Sequence, residues 1–371
     1  MNKLRVLTFT TLYPNEAMPT FATFVEQRLR QLVASGEVDT RVVAPVPWFP
    51  FKAERFEPYA RYARIPIREM RHGLDLWHPR FLVVPKVGML LTPFTLFRAA
   101  IPAVNSLMAE GFDFDLIDAH YLYPDGVCGA MLARRFGKPL ILTARGSDVN
   151  VIAKMRRPGR MIFSAIDHAN AVITVSAALR DSLIGLGVDS AKITVIRNGV
   201  DTTLFRETDR EETRRKLGIE GRLLISVGNL IPLKGALEGL AREMDVSGRV
   251  TFVGAVPQSE LPALYSAADA LILASSNEGL PNVIMEAIAC GTPVIATKVG
   301  GIPEIIDSRA AGIVLEERSD SAIADAVTSL FSDPPGRIAT AKLAENFRWS
   351  ETTAAQLALF RRIVDHAAIA S

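Results

Sequence analysis

Glu278-Gly-Leu-Pro-Asn-Val-Ile-Met-Glu286, continued by Ala287-Ile-Ala-Cys-Gly291-Thr-Pro293-Val-Ile-Ala296, is the stretch from which the rest of the chain can be read. Two carboxylates are separated by seven residues. Pro281 suits the first turn of a helix, because its φ is already set and its missing N–H has no intrahelical partner there. Gly291 predicts the end of that helix, and Pro293 prevents its continuation. Val294–Ala296 reads as a short buried strand. Glu278 therefore sits in a loop before a helix N-terminus, and Glu286 lies more than one turn inside. Free N–H groups at such an end favour an anion such as a phosphate. The carboxylates accept hydrogen bonds from hydroxyls. Phosphate and hydroxyls together describe a nucleotide sugar.

The string resembles the donor-site signature of glycosyltransferase family four, retaining enzymes with the GT-B fold. The likeness extends through Gly291-Thr-Pro-Val-Ile-Ala to Gly300-Gly301-Ile-Pro-Glu304. It implies an α/β chain of two Rossmann-like doubly wound domains facing a cleft. Residues 1–200 would bind the acceptor and residues 201–348 the nucleotide sugar. A terminal helix over 349–371 would cross back onto the first domain. By the same resemblance Glu278 contacts the transferred sugar and Glu286 the ribose, with Gly279, Leu280, Pro281 and Asn282 completing the loop.

Length and composition set bounds. The chain has 371 residues, enough for two domains with ample core. Its net charge of +2 gives no bulk electrostatic case for nucleic acid. Cys128 and Cys290 fall in apolar helical stretches and read as reduced core residues. Met1–Phe9 opens as a strand, without the apolar core or cleavage site of a signal peptide. The apolar run from Phe81 to Val104 is broken by Pro85, Lys86, Pro93, Arg98 and Pro102, which makes a poor membrane span. A cytoplasmic protein is expected.

In the first half, Leu4–Phe9 reads as a strand, Thr20–Ala34 as a helix and Val42–Ala44 as a second strand, the start of a doubly wound domain. Ala22 stands where the family commonly has a glycine that admits a phosphate. Residues 45–105 are irregular and hold nine Lys or Arg against Glu54, Glu57, Glu69 and Asp75. Trp48, Phe49, Phe51, Phe56, Tyr59, Tyr62 and Trp77 are interleaved with them. A basic surface with aromatic anchors suits the headgroup layer of an anionic membrane, giving a peripheral position on its inner face. An ordinary surface insertion is the alternative. Asp113-Phe-Asp115 reads as a polar approach to the strand Leu116–His120, not as a metal site.

His120 closes that strand and precedes Tyr121-Leu-Tyr-Pro124-Asp-Gly126. The string resembles the family's first-domain motif, which places His120 near the donor sugar. After the strand Leu140–Thr143, Arg145 replaces the His of the family's His-Gly-x-Asp. Arg cannot act as a base near neutral pH, but it can bind a carboxylate or phosphate, which suits an acidic or phosphorylated acceptor. Asp148 is either an acceptor ligand or a helix cap. Arg197-Asn198-Gly199-Val200-Asp201 resembles the inter-domain hinge.

In the second half, the strand Arg222–Val227 runs into Gly228-Asn229-Leu-Ile-Pro-Leu-Lys234-Gly235. The resemblance gives Lys234 the donor phosphates. Asn229 stands where an Arg is common, and Arg197 or Arg145 can make up the missing charge. Against the family's pattern, roughly 30 residues, about one βα unit, are absent after Gly235. Val250–Val253 reads as the next strand, and Gly254-Ala-Val256-Pro-Gln resembles the loop that receives the base.

The expected function is retaining, metal-independent glycosyl transfer. A UDP- or GDP-linked sugar is the donor and a glycan or lipid-linked molecule the acceptor, in surface-polysaccharide or glycoconjugate synthesis. His120, Lys234 and Glu278 are the catalytic candidates, and neither cofactor nor metal nor nucleic acid is called for. The alternatives are a sugar-nucleotide epimerase of the same fold and an inactive donor-binding or membrane-associated partner.

Overall fold

The computed structural model describes residues 3–57, 59–83, 88–228 and 234–370. Leu4–Phe9 (β1) leads through a loop to the helix Thr23–Ala34 (α1) and then to Val38–Val43 (β2). Val25, Leu29 and Leu32 fall three and four apart on α1 and are buried under the sheet. The helix starts at Thr23 rather than Thr20, because Ala22 takes a left-handed backbone conformation, φ 50° and ψ 39°.

Residues 45–105 carry more regular structure than the sequence suggests. They form Val46–Pro47 (β3), Ala60–Arg64 (α2), the antiparallel pair Arg68–Arg71 (β4) and Leu74–Trp77 (β5), and Arg80–Phe81 (β6). A single helix then spans Gly88–Ala109 (α3) with Pro93 and Pro102 inside it. Proline leaves the carbonyl four residues back without its helical donor. For Pro93 that carbonyl belongs to Met89, and the Tyr123 hydroxyl donates to it instead. No helix among the described residues is long and apolar enough to cross a membrane.

Strands and helices then alternate through Leu116–His120 (β7), Val127–Phe136 (α4), Leu140–Ala144 (β8), Ser147–Asn150 (α5) and Arg156–His168 (α6). Ala171–Thr174 (β9), Ala177–Gly185 (α7) and Ile193–Val195 (β10) complete the half. The result is an eight-stranded sheet in the order β10-β9-β8-β7-β1-β2-β5-β4. Every residue of β7 and β8 is buried, as in a parallel sheet covered on both faces. The winding reverses between β1 and β7, which are neighbours although β2 lies on the other side of β1. In such sheets ligands bind outside the carboxyl ends of the strands at this reversal.

The second half comprises Arg210–Lys216 (α8), Leu224–Ile225 (β11), Lys234–Glu243 (α9), Leu261–Ala267 (α10) and Ala270–Leu273 (β12). Asn282–Ala289 (α11), Val294–Thr297 (β13), Gly312–Leu315 (β14), Asp320–Ser332 (α12) and Arg337–Lys342 (α13) follow. Its sheet has the order β11-β12-β13-β14, parallel throughout. Val250–Val253 forms no strand, and Val250 and Val253 are exposed. The reason lies in the winding order. The third strand of a doubly wound half pairs only with the second, and no strand stands between β11 and this segment. The predicted strand Arg222–Val227 likewise shrinks to two residues.

Trp349–Ala370 (α14) returns to the first half and packs along α1, where Leu357, Phe360 and Ile363 join Val25, Leu29 and Leu32 in one apolar cluster. A second cluster is continuous between the halves, from Phe9 and Leu142 through Val200 and Phe205 to Ile284 and Ile302. Cys128 and Cys290 are free thiols in the interior.

Candidate active site

The loops at the reversal of the first sheet are tied together. The Thr11 backbone N–H and hydroxyl donate to Asp125 at 2.8 and 3.0 Å, and the Thr10 hydroxyl donates to the His120 carbonyl at 3.3 Å. Burial pushes Asp125 up to about 7. The loop Ser275–Pro281, which follows β12, meets this edge from the second half. A side chain on Gly279 would put its Cβ 1.8 Å from the Arg145 carbonyl oxygen, so only bare backbone fits there. Gly146 faces it from the other side at φ 150°. Asn150 donates to Asn277 Oδ1 at 2.7 Å and to the Glu278 carbonyl at 3.2 Å, and Asn198 donates to Asn282 Oδ1 at 3.1 Å.

On the donor side Glu286 is buried on α11. The Tyr265 hydroxyl donates to its Oε2 at 3.1 Å, and Gln258 is its second partner. Burial pushes this carboxyl up to about 7 against both hydrogen bonds. Gln258 follows Gly254 and Val256, so the segment that resembles the base loop reaches the residue that resembles the ribose ligand. Glu278 is half-buried, accepts from the Ser275 hydroxyl at 2.7 Å, and is raised by burial. Leu280 and Pro281 are buried, and Pro281 stands as the N-cap of α11, one position earlier than predicted. The Val283 N–H, at the second position of this helix, precedes the first intrahelical bonds and points out of its end. Gly228 is exposed with open space where a side chain would go. Asn229 and the Lys234 side chain lie outside the described residues; Lys234 is the first residue of α9.

His120 ends β7 but is fully buried. Arg145 NH2 donates to its Nδ1 at 2.6 Å, and its Nε2 lies 3.2 Å from Asp118 Oδ2. With Nδ1 accepting, the ring proton belongs on Nε2, facing Asp118. Burial holds this imidazole below its ordinary value, so it is neutral at pH 7. The structure thus places His120 behind Arg145 rather than open to the cleft.

Arg145 is equally committed. NH1 donates to Asn198 Oδ1 at 3.2 Å, the guanidinium stacks 5.2 Å from the Phe24 ring centroid, and Nε is buried without a partner. Burial, then the nearby Arg28 charge, pulls it below its ordinary value. Its partners are interior ones, which leaves little of it for an acceptor anion. Asp148 is buried and collects backbone N–H groups from Gly146 at 2.7 Å, Leu122 at 2.8 Å, and Arg145 and Val149 at 3.1 Å. It organises the loop after β8 and presents no free lone pair to a hydroxyl. Arg197 pairs with Glu304 at 2.7 Å, so its charge is already matched.

Several residues matter in ways that the sequence did not reveal. Glu304, in the second half, accepts from the Ala177 and Ala178 N–H groups at 3.1 and 2.9 Å, capping α7 of the first half. Arg28 of α1 and Gln356 of α14 form a buried link to Asp118, through bonds of 2.8 and 3.1 Å. A polar residue recurring on an apolar helix face, as Arg28 does on α1, is the only sequence signal for this link.

Comparison with known proteins agrees with this geometry. A sequence profile described as "Glycosyltransferase Family 4" matches residues 22–204, and one described as "Glycosyl transferases group 1" matches residues 234–348. The chain belongs to glycosyltransferase family 4. A Bacillus subtilis glycosyltransferase named for teichuronic acid biosynthesis, TuaC, is 28% identical over 351 residues, covering 88% of each chain. The sucrose-phosphate synthase of Thermosynechococcus elongatus superposes with a TM-score of 0.77 at 20% identity, covering 98% of this chain and 100% of that one. Anabaena HepE, solved with UDP, superposes at 0.71 and 19%, covering 97% and 100%. These likenesses give the glycosyltransferase the GT-B fold.

Proposed function

We propose that this glycosyltransferase moves a sugar from a UDP- or GDP-linked donor to a glycan or lipid-linked acceptor, with retention and without a metal, in surface-polysaccharide or glycoconjugate synthesis. The observation that carries this reading is the pairing of Glu278 and Glu286 on one loop-helix unit at the carboxyl edge of the second sheet, facing the reversal of the first. Glu286, positioned by Tyr265 and Gln258, takes the ribose hydroxyls. The amino end of α11 and Lys234 take the diphosphate and stabilise charge as it leaves. Glu278 and the Gly279–Asn282 backbone orient the sugar. The relative's name, which assigns it to teichuronic acid biosynthesis, and the neighbour's complexes with UDP and UDP-glucose support the substrate classes.

Chemically, the acceptor oxygen bonds to the anomeric carbon as the carbon–oxygen bond to the diphosphate breaks on the same face. The acceptor proton passes to the departing phosphate oxygen. No protein base is needed in this scheme, which suits a His120 whose ring nitrogens both face protein groups. Among the described residues no cluster of metal-ligating side chains occurs.

Calorimetric titration with UDP and with GDP, repeated on Glu286→Ala, tests the reading. Binding of one nucleotide that is lost in the variant, followed by turnover of the matching nucleotide sugar with an acceptor extract, supports transfer. Turnover of the donor without acceptor would favour an epimerase, and binding without either would favour an inactive partner.

A further inference from the structure

A second surface lies apart from the cleft, built from β3, β6 and the first half of α3. On α3, Leu91, Phe94, Thr95 and Arg98 fall three and four apart and share one face. Leu91 and Phe94 are exposed there, as are Trp48 and Phe51 after β3 and Leu82 and Val83 after β6. Trp48 is bonded to the neighbouring segment, its N–H donating to the Phe81 carbonyl at 2.7 Å, yet its residue is 52% exposed. Phe49, Phe51, Phe56 and Tyr59 form an aromatic cluster, with Phe51 stacked on Phe56 at 4.7 Å. Exposed apolar and aromatic side chains gathered in this way mark an interaction surface.

Cations outnumber free acids on this surface: Glu57 is paired with Arg64, while Glu54 is exposed and carries no ion pair among the described residues. A groove of about 330 Å³ runs between Trp48 and Leu82 on one wall and Thr95 and Ala99 on the other, with Arg80 and Arg98 lining it. Arg80 spends one terminal nitrogen on the Ile65 carbonyl, and its other is buried without a partner. Lys52, Arg55 and Arg98 are exposed and carry no ion pair among the described residues. Guanidinium groups beside a tryptophan and aliphatic side chains match a phosphate headgroup above an acyl chain.

We infer that this face docks the enzyme on an anionic phospholipid surface, with Trp48, Phe51, Leu91 and Phe94 entering the headgroup layer. The cations Lys52, Arg55 and Arg98 lie against lipid phosphates. The Tyr123–Met89 bond fastens the start of α3 to the loop after β7, so the docked face adjoins the first-half wall of the cleft. The inference does not depend on which sugar is transferred.

The test is co-sedimentation of the full chain with vesicles of phosphatidylcholine alone and of phosphatidylcholine with 30% phosphatidylglycerol (roughly a bacterial anionic fraction). The protein should bind the anionic vesicles and not the neutral ones, with a blue shift in Trp48 fluorescence. Each surface cation contributes about five-fold in partitioning, so Arg98→Glu combined with Lys52→Glu should weaken binding by more than ten-fold. Leu91→Ser with Phe94→Ser should weaken it as well. Both double variants alter exposed side chains, and an unchanged thermal unfolding transition of the full chain would show that they fold. Equal binding to both vesicle types, no binding to either, or full binding by the variants would overturn the inference.

Discussion

Arg145 donates to Nδ1 of His120 at 2.6 Å, so a cation and an imidazole share a hydrogen bond at the carboxyl edge of the first sheet. The bond is possible only while Nδ1 carries no proton. Protonation would set two donors against each other beside a fixed charge, with burial adding to the cost. His120 is therefore held as one neutral tautomer, with Nδ1 turned to Arg145.

Nitrogen chemical shifts of His120 should show the Nε2–H tautomer through the ordinary histidine range, with protonation displaced below it. A titration midpoint at or above 6.5 would contradict the assignment. Because the folded value is depressed, the unfolded chain binds the proton first, so stability falls as pH drops through about 6.5. Arg145→Ala leaves Nδ1 and Asn198 with a lost donor and should cost about 2–4 kcal/mol in urea denaturation.

Glu286 gives the opposite slope. Its folded value of about 7 lies above the unfolded one, so in the free enzyme its contribution to stability is present below about 4.5 and lost as pH rises through 7. Ribose hydroxyls donate best to the ionised carboxylate, so nucleotide binding should release a proton. Affinity for the nucleotide should rise about ten-fold between pH 6 and pH 8. Calorimetry in two buffers of different ionisation enthalpy measures the proton directly, and Glu286→Gln should abolish both the release and the slope.

Ala22 sits at φ 50° ahead of α1, a conformation that costs a residue with a Cβ about 1–2 kcal/mol. Ala22→Gly removes that strain and adds about 0.4–1 kcal/mol of unfolded-state entropy. The variant should be as stable as the parent or up to about 1 kcal/mol more so in thermal denaturation, where a glycine introduced at an ordinary loop position would lose stability.

Gly279→Ala tests the contact between the halves. Its Cβ would collide with the Arg145 carbonyl, which is backbone and has nowhere to turn. The halves should be held apart, with turnover falling about 100-fold from misplacement alone. Nucleotide affinity should change far less, because Glu286 and its partners all belong to the second half.

The sequence is most readable where one strand, one turn and one helix carry the pattern locally. Residues 116–148 and 270–305 fold closely as their apolar runs and glycines suggest, with β7 at the expected Leu116–His120. Reading fails where a distant partner decides the outcome. Pro93 looks like a helix breaker until Tyr123 supplies the missing donor to Met89. Val250–Val253 looks like a strand because its composition says so, but a strand also needs a neighbour. Asp148 has the composition of a ligand and is consumed by backbone N–H groups. Arg145 is legible as an unusual residue, while its partners His120 and Asn198 lie 25 and 53 residues away.

The position of Gln356 bears on how the molecule is made. Its side chain answers Arg28 and Asp118, the latter 238 residues earlier in the chain. On the ribosome the first half emerges well before this partner, with α1 and β7 carrying charges that nothing yet covers. Its sheet can assemble early, but its interior is finished only when α14 leaves the exit tunnel. Synthesis of the second half must therefore proceed beside a domain that is still open on one face.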